Sequence, residues 1–218
     1  MVRELTIGLA IIALLAIAAA AGAAPSLLGP TGLILTPTAD TVGMTEFNLG
    51  VSGIRSDDAP DETIAYGNVG LVPGLEVGLS HVKLEHEESE TLLNAKFRLF
   101  QPPLARFTVS AGMIDVTDRI DRTSYVVVSH VLGAGVISRV GPVTLPKIHL
   151  GIGNGQLDRV FGGVSTVVNR KVEVMAEYDG QHVNIGARVP LALRFSATVA
   201  ALDGTHELGA GVSFSSPW

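Results

Sequence analysis

LGAGVSFSSPW (Leu208–Trp218) alternates without a break. Leu208, Ala210, Val212 and Phe214 fall on one side of an extended chain, and Gly209, Gly211, Ser213 and Ser215 on the other, with the aromatic Trp218 at the end. A strand that is apolar on one face and small or polar on the other suits the closing strand of an outer-membrane β-barrel. Lipid lies on one side, a polar lumen on the other, and pairing with the first strand removes the free edge. The edge strand of a secreted sandwich alternates in the same way, so the rest of the chain must separate the two.

The same period of two recurs upstream. Leu93, Ala95, Phe97 and Leu99 oppose Asn94, Lys96 and Arg98, while Val172, Val174, Ala176 and Tyr178 oppose Glu173, Met175 and Glu177. Val183, Ile185, Ala187 and Val189 oppose His182, Asn184, Gly186 and Arg188, and Phe195, Ala197 and Val199 oppose Arg194, Ser196 and Thr198. Period-two patterning puts each set on one side of a sheet. From residue 45 onward about twelve such segments are predicted, with ten as the alternative. The least certain lies over 134–140 or 142–145. The polar faces mix charge with glycine and serine, as a crowded barrel interior requires. Lys96, Arg98, Glu173, Glu177, Arg188, Arg194 and Glu207 are the candidate lumen-lining residues, able to pair with one another across it. The competing reading is a solvated outer face.

The connections sort into two kinds. Pro73-Gly74, Gln101–Ala105, Asn169-Arg170 and Pro190–Ala192 are short and carry no acid, whereas Ser56–Glu62, Glu85–Glu90, Asp115–Asp121, Asp179-Gly180 and Asp203-Gly204 all carry it. An up-and-down barrel has two such ends, with short periplasmic turns and longer outer loops. A sandwich has no reason to sort its loops. Aromatic residues make up 5% of the chain, so any interfacial girdle is thin. Phe97, Phe100, Phe107, Tyr125, Phe161, Tyr178, Phe195, Phe214 and Trp218 are the candidates for it.

At the other terminus, Leu5–Ala24 is an uncharged apolar run behind Arg3, closing on Ala21-Gly22-Ala23. That is the small-x-small pattern of a signal-peptidase site, so residues 1–23 are expected to be a cleaved signal; an uncleaved spanning helix is the alternative. Residues 24–44, dense in Gly, Pro and Thr, read as an irregular periplasmic lead-in, and 45–218 as the barrel. No later segment carries the apolar run of a helical span. The chain of 218 residues has no cysteine, so no disulfide framework holds it together. Its net charge of −6 and scattered basic residues speak against nucleic acid as a partner.

Chemistry is sparse. Gly151–Gly155 lacks dinucleotide spacing and a following helix. His81, His86, His130, His149, His182 and His206 have no ligand spacing. Glu173 and Glu177 stand about 13 Å apart on a strand rising about 3.3 Å per residue, too far for a carboxylate pair acting together. The acidic loops read as solvated charge. No catalytic residue, cofactor or metal is expected.

Gly29–Asp40 (GPTGLILTPTAD), Glu177–Gly180 (EYDG), Asn184–Arg188 (NIGAR), Phe161–Gly163 (FGG) and Tyr125–Leu132 (YVVVSHVL) carry a resemblance to the YjbH-like outer-membrane barrel proteins. That resemblance implies a single barrel portion of a longer type of protein. It also implies a link to exopolysaccharide production, with outer-membrane lipid, polysaccharide or envelope export components as partners. It supplies no catalytic residues. The expectation is an all-β, up-and-down antiparallel transmembrane barrel serving as an envelope scaffold or narrow polar passage, in an oligomeric state the sequence leaves open. The alternative is a secreted or periplasmic soluble β-sandwich or barrel that binds a ligand.

Overall fold

The computed structural model describes residues 23–56, 59–102, 106–132, 144–169 and 171–216. Among them are twelve strands in simple succession: β1 (Phe47–Ser56), β2 (Glu62–Val72), β3 (Leu75–Leu84), β4 (Glu90–Phe100), β5 (Phe107–Ile114), β6 (Thr123–Val131), β7 (Lys147–Gly153), β8 (Arg159–Val168), β9 (Val172–Tyr178), β10 (Val183–Pro190), β11 (Phe195–Leu202) and β12 (Glu207–Ser216). Each pairs antiparallel with its neighbours, and β12 pairs with β1 over ten residue positions, from Phe47 opposite Ser216 to Ser56 opposite Glu207. The sheet is a closed barrel, not a two-sheet sandwich. The LGAGVSFSS stretch is indeed the closing strand. The uncertain segment over 134–145 and the apolar run of residues 1–22 lie outside the described residues, apart from Thr144 and Leu145.

The outward face is apolar over most of the wall. Leu150 and Ile152 are each 62% exposed, and Leu49, Leu79, Val183, Ile185 and Val199 are similarly bare. In water that surface would be costly; against hydrocarbon it is what a closed sheet needs. Connections alternate between the ends as expected. The end carrying Pro73-Gly74 also carries a partial aromatic rim, with Phe214 stacked between Phe47 (6.0 Å) and Phe195 (5.3 Å), and Phe100 against Phe107 (5.8 Å). Two members of the expected girdle do not belong to it. Tyr125 and Phe161 point inward and are buried, in contact edge-on at 6.3 Å. Trp218 is outside the described residues.

The interior corrects a second expectation. Towards the acidic-loop end the lumen is apolar, filled by Ile64, Tyr66, Val82 and Leu92 on one side and by Ile114, Tyr125, Val127, Leu157 and Phe161 on another. Alternation continues there, but both faces are hydrophobic, one towards lipid and one towards a core. Lys96, Glu173 and Arg188 lie nearer the short turns, whereas Glu177 stands at the acidic-loop end of β9.

Candidate functional site

Residues 24–43 are irregular, as their Gly, Pro and Thr content requires, but they are not a periplasmic lead-in outside the barrel. They fill the lumen. Ser26, Leu27, Thr31, Leu33, Ile34, Thr36 and Ala39 are each 2% exposed or less. A chain with neither helix nor ladder must pair its backbone groups with something, because a buried unpaired N–H or C=O is costly. Part of the need is met internally, by Leu27 N donating to Ile34 O (2.8 Å) and Leu33 N to Thr36 O (2.9 Å). The barrel wall meets much of the rest.

Glu177 on β9 is the largest single anchor. Its carboxylate accepts from the amides of Leu35 (2.8 Å), Ile34 (3.0 Å) and Thr36 (3.2 Å), and from the Thr36 hydroxyl (2.8 Å). Glu76 on β3 plays the same part opposite, accepting from the Thr31 amide (2.9 Å), the Thr31 hydroxyl and the Val42 amide (3.0 Å). Carbonyls go to cations. Arg188 on β10 donates to Pro25 O (2.8 Å), Leu33 O (2.7 Å) and Gly32 O (3.3 Å), and is paired with Glu173 at 2.8 Å. Lys96 on β4 donates to Thr31 O and to Asp40 O (3.0 Å), and Lys147 on β7 to the Asp40 carboxylate (2.7 Å). Neutral groups complete the lining. Ser52 donates to Leu27 O, Asn68 to Gly29 O (2.7 Å), Ser80 to Leu28 O (2.9 Å) and Ser110 to Ala39 O (2.6 Å). Among these contacts Leu27, Leu33 and Ile34 join Met175, Ala200 and Leu202 in an apolar cluster. At Leu33–Thr36 the segment therefore turns apolar side chains into the cluster while Glu177 holds its backbone. A narrow polar gap remains beside it, lined by Asp40, Lys147, His149, Ser165, Glu173 and Arg188.

The seven lumen candidates divide. Lys96, Glu173, Glu177 and Arg188 line the lumen together, yet only Glu173 and Arg188 pair with one another, since the others hold the segment. Arg98 lies near the short turns with its guanidinium on the Gln101 side chain. Glu207 opens β12 at the opposite rim, beside Ser56 in the register. Arg194 is not on a strand at all. It is exposed in the 3-10 turn Ala192–Arg194 with φ of 68°, ahead of β11. Glu76 and Lys147 went unnoticed in the sequence, although Glu76 shares the polar face of its segment with Gly78 and Ser80.

One acidic loop is also ordered by a buried carboxylate. Asp115, just past β5, accepts from the amides of Ile120 (2.7 Å) and Asp121 (3.2 Å) and from the Thr117 hydroxyl (3.2 Å). Burial alone would raise its pKa, but these hydrogen bonds to the charged form outweigh it and hold the carboxyl below its ordinary value. Its regular spacing with Asp118 and Asp121 is thus that of a turn, and no group of three metal-ligating side chains is found among the described residues.

No protein-family model matches the chain, and no curated protein is significantly similar to it. Among solved structures it is similar to a KdgM porin, with a TM-score of 0.52 and 7% sequence identity over 78% of this chain and 99% of that one. The N-terminal β-barrel domain of Pseudomonas aeruginosa OprF aligns over 79% of this chain and 99% of that one, at 13% identity and a TM-score of 0.28. The likeness to the KdgM porin is one of fold; the lower score carries no argument.

Proposed function

We propose that this chain is an outer-membrane barrel whose work is structural, a sealed scaffold in the envelope and not a standing pore. The observation that carries the reading is the lumen filled by residues 24–43 and held there by Glu76, Glu177, Arg188, Lys96 and Lys147. Membrane residence is supported by the closed ring of strands and the bare apolar exterior. Loop sorting supports an orientation with the acidic loops outward and the short turns at the periplasm. The resemblance to YjbH-like proteins extends the reading to a place beside exopolysaccharide production, with polysaccharide or export components as partners. A narrow passage is the second reading, favoured by the polar gap beside the segment, and it needs the segment to withdraw.

Two measurements on the full chain extracted into detergent test this. Boiled and unboiled samples on a denaturing gel are expected to differ in mobility, and the native protein in a planar bilayer is expected to show no steady conductance. Free solubility with no mobility difference overturns the membrane reading. A steady conductance from the unaltered protein replaces the scaffold with the passage.

A further inference from the structure

Among the described strand residues, charge on the outward face is confined to one place. By strand alternation, Arg55 on β1 and Lys83 on β3 are the only lysine or arginine side chains that face outward from a strand among the described residues, and both are exposed. The register puts them on one patch. Thr63 of β2 stands opposite both Gly53 and Lys83, and Arg55 is two residues beyond Gly53, so the backbones of the two cations flank β2 about 12 Å apart at a strand spacing of about 4.8 Å and a rise of about 3.3 Å per residue. His81 lies one outward position below Lys83, bonded to Thr91 at 3.0 Å. Beneath them the surface turns apolar, with Val51, Leu49 and Leu79 each about half exposed. On the opposite half of the barrel the same rim is hydrophobic to the top, at Ile152, Val160 and Val183.

We propose that this patch, formed by Arg55 and Lys83 above the apolar outward face of β1–β3, is a binding site for a lipid with an anionic phosphate headgroup. The inference rests on the barrel spanning a membrane. An outward-facing cation in the hydrocarbon is costly, and it becomes favourable where a long side chain reaches the headgroup layer with its stem on the wall. Two long cationic side chains rooted about 12 Å apart can converge on one phosphorylated headgroup between them, and an acyl chain below it would lie along Val51, Leu49 and Leu79. Arg55 also meets Asp61 at 3.2 Å; with its side chain 79% exposed, that is a screened pair that leaves donors for a phosphate. A patch for a soluble anion has no need of the apolar strip.

The test uses the full chain in detergent, with phosphatidylglycerol and phosphatidylcholine supplied in equal amounts and bound lipid read by native mass spectrometry. The unaltered protein is expected to retain phosphatidylglycerol preferentially. The double variant Arg55→Gln, Lys83→Gln is expected to lose that preference about thirtyfold, at roughly a kcal/mol for each cation near a membrane surface. Lys171→Gln, in the turn before β9, serves as the control and is expected to keep it. Equal retention of both lipids by the unaltered protein, or an undiminished preference in the double variant, overturns the proposal. So does competition by inorganic phosphate as strong as that by the lipid, which would make the patch a site for free anions. Each variant is first checked for its boiled and unboiled mobility. A protein that keeps the mobility difference while showing no lipid preference refutes this site and leaves the membrane reading standing.

Discussion

At the scale of single residues, the lumen is governed by a few ionised side chains, each serving several backbone groups. Glu177 satisfies three amides and a hydroxyl, and removing it would orphan them in the buried interior. Glu177→Ala is therefore expected to cost at least about 3 kcal/mol, read as a lowered denaturant midpoint in detergent, with Glu177→Gln distinctly milder because one acceptor oxygen remains. Arg188 and Glu173 are coupled, so Glu173→Gln combined with Arg188→Met should cost less than the two single changes summed; a strictly additive result would show that their ion pair contributes nothing. Asp115 gives a pH signature. Its folded pKa is depressed, so its contribution is complete above the ordinary carboxylate value and fades as pH falls through the lower, folded one. Protection of the amides in 115–121, measured against their intrinsic exchange rates, should be full above the ordinary carboxylate value and be lost as pH falls through the lower, folded one, and Asp115→Asn should abolish that dependence. Lys96 and Arg188 could be found in the sequence as inward cations because strand parity exposes them. What they hold could not be found, since carbonyls of an irregular segment leave no periodic trace.

At the scale of elements, neighbouring strands interlock through a repeated pairing of glycine with an aromatic residue. Tyr66 stands opposite Gly50, Tyr125 opposite Gly112 and Phe161 opposite Gly151. In each case the ring lies where a β-carbon on the glycine would be. A glycine in a strand is ordinarily a weakness, and here the ring covers the bare backbone and recovers the lost contact. Gly151→Val is expected to force Phe161 off its seat and cost about 1–3 kcal/mol, seen as a lower temperature for loss of the compact gel band. An unchanged band would mean that the ring has another equally good seat. The strands themselves were legible to within a few residues because lipid enforces alternation on the outward face. The aromatic assignments for Tyr125 and Phe161 failed for a related reason. An apolar lumen near the acidic loops makes both faces hydrophobic, and composition then no longer tells in from out. Arg194 failed because a turn with positive φ shifts the parity just before β11.

At the scale of the molecule, two apolar layers are nested, an outward one for lipid and an inward one around the tip of residues 24–43. The outward layer makes a prediction that separates this barrel from a soluble one. Leu150→Arg, midway along β7 and on the bare exterior, is expected to cost about 2–4 kcal/mol and to impair membrane insertion. In a soluble protein the same change would be harmless. Overall architecture was readable from loop sorting and alternation, while the occupied lumen was not, because nothing in GPTGLILTPTAD states where an irregular stretch will lie. Its path has one further consequence. Ala23 is near Asn48, and Gly43 lies against Gly70, both near the short-turn rim, so the stretch goes in and comes back out through one mouth. Such a loop forms no knot and can enter a finished ring without any end being threaded through it. Two of its main holds lie 143 and 163 positions away along the chain, at Glu177 and Arg188, so the contacts it makes with β1–β5 are not completed until β9 and β10 are in place. Assembly accordingly has a built-in order, with the ring nearly complete before its stopper seats.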